Sequence, residues 1–174
     1  RTLCTRFAAA CFLNIGLDHI SPIEHPDFED YFTAKLKIFD SCRFGCVNTD
    51  AKYADRVIEY AKDRCNLITF GSHESDTVSC RHVEKRSDGL YFTVVSPKYN
   101  GEFSITMPGL FNISNALAAM AICMALDVPE EYVRSGLRKA RAAGRMQIYE
   151  SRDKNVTVIV DYAHNRMSFD ALYR

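Results

Sequence analysis

Formal net charge is missing from this chain, as are any long apolar run and the loop that most nucleotide-hydrolysing proteins use to hold phosphate. Lys plus Arg number 22 and Asp plus Glu number 22, so no bulk basic field exists to draw nucleic acid or an anionic membrane surface. Neither is expected as a partner. No stretch approaches the roughly 20 apolar residues of a spanning helix, and no leader segment is visible. No Gly-x-x-x-x-Gly-Lys-Ser/Thr run is present, so the chain lacks the backbone cradle for β- and γ-phosphates that this motif supplies. The first residue is Arg1 rather than methionine, and a fragment of a longer protein is expected.

A disulfide framework is also lacking. The seven cysteines are odd in number and scattered, several within apolar runs, which fits buried thiols in a reducing cytoplasm. Cys42-x-x-x-Cys46 has no second pair at ligand spacing, so zinc is not expected. What is present is enough apolar residue, 47%, for a real core, and 174 residues leave room for one domain and the beginning of another.

The chain is organised around Asn14-Ile-Gly-Leu-Asp18-His19-Ile20 and the helix that follows it. Ala8 to Asn14 is a short apolar run, as in a strand buried on both faces. After the Pro22 and Pro26 loop, Asp27 or Asp30 can cap a helix beginning near Phe28. On it Phe28, Tyr31 and Phe32 lie seven, four and three residues before Lys35, and Phe39 four after, which puts Lys35 on the apolar stripe. Two readings stay open there. Lys35 snorkels to water, or burial favours a neutral amine that carbon dioxide can carbamylate into an anionic oxygen ligand. With His19 at a strand end, that oxygen would make half of a divalent-cation site.

Further along, Gly45–Asn48 and Leu67–Gly71 read as short buried strands flanking a helix from Ala51 to Arg64 capped by Asp50. That is the strand–helix alternation of a parallel sheet with crossover helices. Thr77–Arg86, Leu90–Val95 and Glu102–Met107 then read as an antiparallel β-meander, a smaller sheet attached to the parallel one. The fold class expected is α/β. His25, His73 and His82 are read as loop, surface or structural residues.

Beyond Pro108, Asn112 or Ser114 starts a helix with Leu117, Met120, Ala121 and Met124 on one face. Asn112 and Asn115 share a side of its first turn, and their amides either cap the helix or present donor and acceptor to a purine edge. A second helix is expected over Pro129–Ala140. By themselves Arg145 reads as a surface charge and Asp161 as a strand-end cap. Strands are expected over Gln147–Ser151 and Asn155–Val160.

Four motifs together resemble the Mur ligases, the ATP-dependent amide ligases of peptidoglycan synthesis. They are Asp18-His19, Tyr31-x-x-Ala34-Lys35, Gly109-x-Phe-Asn112-x-x-Asn115-x-Leu-Ala-Ala119, and Gly144-Arg145-Met146 with Asp161-Tyr-Ala-His164-Asn165. The branch most resembled is the UDP-N-acetylmuramyl-tripeptide synthetases. The resemblance implies a middle domain over residues 1–144 and the hinge and start of a C-terminal domain over 145–174. It implies Mg²⁺ on His19 and a carbamylated, catalytic Lys35. It also implies ATP contacts from Asn112, Asn115, Arg145, Asp161 and His164, with Asn115 on adenine. The partners implied are a UDP-N-acetylmuramoyl-peptide and an amino acid, the protein being a cytoplasmic monomer. Ser21 and Arg166 depart from residues the family often carries, which weakens the branch more than the chemistry. The phosphate loop and a magnesium-binding glutamate that the family carries are absent, so this stretch alone is expected to be inactive. A cyanophycin or folylpolyglutamate synthetase, a non-catalytic nucleotide-binding module, and a structural fragment remain the rivals.

Overall fold

A computed structural model describes residues 5–17, 20, 21 and 23–173. Its centre is a six-stranded sheet in chain order: β1 (Phe7–Phe12), β2 (Cys42–Asn48), β3 (Asn66–Gly71), β4 (Val78–Arg86), β5 (Gly89–Val95) and β6 (Gly101–Ile105). The pairings from β1 through β4 are parallel, and those from β4 through β6 are antiparallel. The α/β class therefore holds. The antiparallel meander is attached to the parallel part within one sheet, because β4 pairs with β3 at Phe70↔Val78 and Gly71↔Ser79 before turning to β5. A separate two-stranded antiparallel sheet is formed later by β7 (Gln147–Glu150) and β8 (Thr157–Val160).

Helices cover both faces of the main sheet. On one lie α1 (Phe28–Leu36), continued by a 3₁₀ turn over Lys37–Ser41, and α2 (Ala54–Ala61). They bury Phe32, Leu36, Phe39 and Val57 with Phe12 and Val47 of the sheet. On the other lie α3 (Phe111–Ala125) and α4 (Glu130–Lys139), which bury Leu117, Met120, Val133 and Leu137 with Cys46, Phe70, Phe92 and Val94. The neighbours Cys46 and Val47 face opposite layers, as side chains alternate along a strand. Both are fully buried, so the carboxyl-terminal half of β2 is packed on both faces.

Local chemistry sets the helix starts. Asp27 caps α1 by accepting from the Asp30 amide at 2.9 Å, and Glu29 and Asp30 favour the positive end. Asp50 does not cap α2. Its carboxylate instead accepts from the Ser72 amide and hydroxyl, and α2 begins after Tyr53, held at φ 69°, which shortens the expected helix at its start. Neither Asn112 nor Ser114 caps α3, because the helix starts one residue before Asn112 with Leu110 as its unbonded cap. Pro129, with its fixed φ and no amide to satisfy, caps α4.

Tight chemistry closes the meander. Tyr99, fully buried, donates its hydroxyl to the Val128 carbonyl at 2.7 Å and so fastens the β5–β6 turn to the α3–α4 connection. At the β4–β5 turn Gly89 has φ 153°, and a Cβ there would stand 2.2 Å from the Ile105 carbonyl oxygen of the neighbouring strand. Backbone cannot yield as a side chain does, so Gly89→Ala should lower unfolding stability by about 1–3 kcal/mol in urea titrations.

The thiols are core groups. Burial pushes Cys11, Cys42 and Cys46 up to about 12 and Cys80 up to about 11, from a reference of 9.0. The unfolded chain loses these protons first as pH rises, so stability is intact below about pH 9 and falls between there and about 12. Disulfide-exchange reagents at neutral pH should modify these four slowly in the native chain and rapidly in guanidinium, read by mass spectrometry.

Candidate functional site

A cleft of about 680 Å³ opens beyond the carboxyl end of β1, a volume suited to one small ligand. Its walls come from distant parts of the chain. Leu13 and Asn14 follow β1, Met107 follows β6, Phe111, Asn112, Asn115 and Ala116 belong to the first turns of α3, and Arg145 and Asp161 flank β7 and β8. Four of the five residues expected to contact nucleotide, Asn112, Asn115, Arg145 and Asp161, therefore line one cavity.

The two asparagines are not equivalent. Asn112 is 4% exposed, and its side chain is used up inside the protein. Its amide donates to the Pro108 carbonyl at 2.6 Å, and its oxygen accepts from the Asn115 side-chain amide at 2.9 Å. Asn115 is exposed to the cleft, and its carbonyl oxygen and second amide hydrogen have no protein partner among the described residues. An amide oriented from behind, with one donor and one acceptor left over, can read a flat heteroaromatic edge that also carries both. The apolar Phe111, Ala116 and Met107 in the same wall suit the faces of such a ring.

Arg145 and Asp161 are brought together by the β7–β8 ladder. Gln147 pairs with Val160, so the positions just outside that pair, Met146 and Asp161, lie opposite one another. The Asp161 carboxylate accepts from the Met146 amide at 2.8 Å, with Met146 in the left-handed region at φ 47°. The Arg145 guanidinium lies 5.0 Å from the centre of the Tyr162 ring and is otherwise exposed, a cation available to an anion in the cleft. His164 is not in the cleft wall. Its Nδ1 is 2.9 Å from the Tyr162 carbonyl and its ring packs 4.9 Å from Tyr162, before the capping box of α5 (Arg166–Leu172).

Of the two readings open for Lys35, the structure shows the snorkelling one: the side chain is exposed, and its Nζ lies 5.1 Å from the centre of the Tyr31 ring. Long helical side chains run back toward the preceding turn, so the stem lies along Tyr31 and the head reaches water, while Leu36 fills the buried position. Lys35 does not line the cleft. His19 and its neighbour Asp18 lie outside the described residues. Among the described residues no group of three or more His, Cys, Asp or Glu side chains could hold a metal ion. The other described histidines lie outside the cleft wall. His25 bonds Asp30 at 2.7 Å, His73 faces Asp50 at 3.7 Å, and His82 occupies a β-bulge with φ 49°.

The apolar and backbone walls, Leu13, Asn14, Met107 and Phe111, were not foreseen. Phe111 sits inside the Gly109-to-Ala119 motif, but its place beside Leu13, Asn14 and Met107 follows from strand order and helix packing.

A sheet covered on both faces, with a ligand-sized cleft past the end of a parallel strand, defines an α/β binding domain of the kind that holds its ligand beyond the carboxyl ends of its strands. The chain belongs to the Mur ligase family, for the family described as Mur ligase middle domain matches residues 1–123. It is 36% identical over 166 residues to a UDP-N-acetylmuramoyl-L-alanyl-D-glutamate–L-lysine ligase of Streptococcus thermophilus, covering 95% of this chain and 33% of that protein. It is 35% identical over 174 residues to a UDP-N-acetylmuramyl-tripeptide synthetase of Bifidobacterium longum, covering 95% of this chain and 34% of that one. Among solved structures, MurF from Acinetobacter baumannii superposes with a TM-score of 0.82 at 25% identity, over 94% of this chain and 36% of that one. The chain thus spans about a third of the length of these relatives.

The two asparagines can be separated experimentally. Asn112→Ala leaves the Pro108 carbonyl and the Asn115 amide without a partner, and should cost about 1–3 kcal/mol of stability. Asn115→Ala removes a group on an open wall and leaves only the Asn112 oxygen without its partner, and should cost about 1 kcal/mol, less than Asn112→Ala, in the same denaturant titration.

Proposed function

We propose that this chain is the nucleotide-binding part of an ATP-dependent ligase that adds an amino acid to a UDP-N-acetylmuramoyl-peptide in peptidoglycan synthesis. The observation that carries this reading is the convergence of Asn112, Asn115, Arg145 and Asp161 on a single cleft. In it Asn115 reads the adenine edge and Asn112 holds Asn115 in place. Arg145 pairs with phosphate, and Asp161 accepts from the ribose hydroxyls. Residues 1–144 form the middle domain and 145–174 the hinge into a C-terminal one. His164 is assigned to the nucleotide on family resemblance alone. The reading includes a cytoplasmic setting and a monomer. Among the described residues no helix is long and apolar enough to cross a membrane.

The substrate carboxylate attacks the γ-phosphate of ATP, breaking its bond to the β–γ bridging oxygen to give an acyl phosphate and ADP, and the incoming amine then displaces inorganic phosphate and loses a proton to form the amide. This chain's residues contribute binding and orientation, which turn encounters into steps within one complex. Magnesium, when bound, neutralises phosphate charge, and by resemblance His19 and carbamylated Lys35 would hold it. Among the described residues no three such ligands converge. A nucleotide-binding module without turnover is the alternative outcome.

The test is amide formation by the full-length protein, with ATP, Mg²⁺, UDP-N-acetylmuramoyl-dipeptide and lysine or diaminopimelate supplied. ATP-dependent product is expected from the full-length protein and none from residues 1–174 alone. Lys35→Ala should lower kcat on the order of 10²–10³-fold, the scale of losing one charge-stabilising group. Asn115→Ala should raise the KM for ATP about tenfold with kcat little changed, as expected for a lost binding contact. Nucleotide affinity with no amide product would overturn the ligase reading and leave the binding module.

A further inference from the structure

One buried polar side chain outside the predicted site has a geometry that bears on the cleft. Asn48 ends β2 and is 6% exposed. Its amide donates to the Leu13 carbonyl at 3.0 Å across 35 residues of sequence, and its oxygen accepts from the Asp50 amide at 3.1 Å. The β1–β2 ladder has its last pair at Phe12↔Val47, so the tie from Asn48 to Leu13 extends the pairing one step past the ladder by a side chain.

The place of that extra step matters. Leu13 and Asn14 form one wall of the cleft, and the segment they begin runs as irregular chain to Leu17 before Asp18-His19. Buried Ile15 anchors this segment on its apolar side, and Asn48 is its polar anchor to the sheet. Asn48 is itself held rigid. Asp50 accepts from the Ser72 amide and hydroxyl, and Thr49 bonds the Phe70 carbonyl and Asp76, so the ends of β2 and β3 are knotted behind it. A side chain fixed on one side and reaching a cleft wall on the other transmits the position of the sheet to that wall.

We infer that Asn48 is a positioning residue of the nucleotide cleft, holding the segment after β1 at the distance from α3 that the ligand requires. Asn48 touches no ligand. Its effect reaches nucleotide through Leu13 and Asn14. The inference rests on the nucleotide reading of the cleft but not on turnover.

The test uses the full-length protein and calorimetric titration with a non-hydrolysable ATP analogue, alongside thermal melting. Asn48→Asp keeps the size and the acceptor for the Asp50 amide but turns a carboxylate oxygen toward the Leu13 carbonyl. Asn48→Leu keeps approximate volume and removes both polar groups. In the folded fraction of each, the analogue should bind about tenfold more weakly, the scale of one displaced buried hydrogen bond. In the amide assay the half-saturating ATP concentration should rise in parallel. A purely structural role would lower the melting temperature and the number of competent sites while leaving the affinity of those sites unchanged, and that result overturns the inference. Failure of both variants to fold overturns it as well, since Asn48 would then be a stability residue. If the unsubstituted protein binds the analogue but forms no amide, the ligase reading falls while weaker binding by the variants still supports Asn48. If the unsubstituted protein binds no nucleotide, both fall.

Discussion

A sheet that is apolar on both faces must be covered on both, and the architecture follows from that requirement. Cys46 and Val47, adjacent on β2 and fully buried, face opposite helical layers. The layer holding α3 sets the cleft. That helix packs across β1, β2, β3 and β4, so its first turn is carried to the end of the sheet where the chain leaves β1. Asn112 and Asn115 are in the cleft because Leu117, Met120 and Ala121, further along the same helix, are in the core.

The meander shows how a parallel sheet is extended without another crossover helix. β4 gives β3 two residue pairs and then runs beside β5, bending at a bulge between Arg81 and Val83. Only one face of this extension is packed. Leu90, Phe92 and Val94 are buried beneath the helices, whereas Val95 and the outer half of β4 meet water. Arg134 of α4 stacks on Phe103 of β6 with its guanidinium carbon 3.8 Å from the ring centre, and bonds the Asn100 carbonyl, joining helix to meander edge. The exposed ion pairs around it, such as Arg86 with Glu84 and Glu102, hold geometry more than stability, since solvent screens them.

Polar groups at the strand ends, of which Asn48 and Asp76 are buried, do a different job from the exposed ion pairs of the meander. Asn48, Thr49, Asp50, Ser72 and Asp76 satisfy one another where β1, β2 and β3 stop and their backbone ladders leave donors and acceptors over. Ligand sites in open α/β sheets occupy this same edge. The cost of burying polar atoms is thus met by bonds that also shape the neighbouring cleft.

Much of this was legible in the residues. The apolar runs around Ala10, Val47 and Phe70, the Asp27 cap and the Gly89 turn are local signals, and each expected element appeared within a few residues of its span, while α5 was not expected. Asn112, Asn115, Arg145 and Asp161 were legible through the family motifs they sit in, since by their own chemistry they fit a helix cap, a surface charge or a strand-end cap as well. What the residues could not show is which of them meet. Asp50 had the right place to cap α2 and bonds Ser72 instead; Lys35 had the spacing of a buried residue and reaches water along Tyr31. Asn48 gave no local sign of reaching Leu13. Spacing along a strand or helix determines which residues share a face, so element type and core pattern were written in the sequence. Contacts between elements depend on strand order, helix placement and where a long side chain finds room, and those the tertiary structure alone decided.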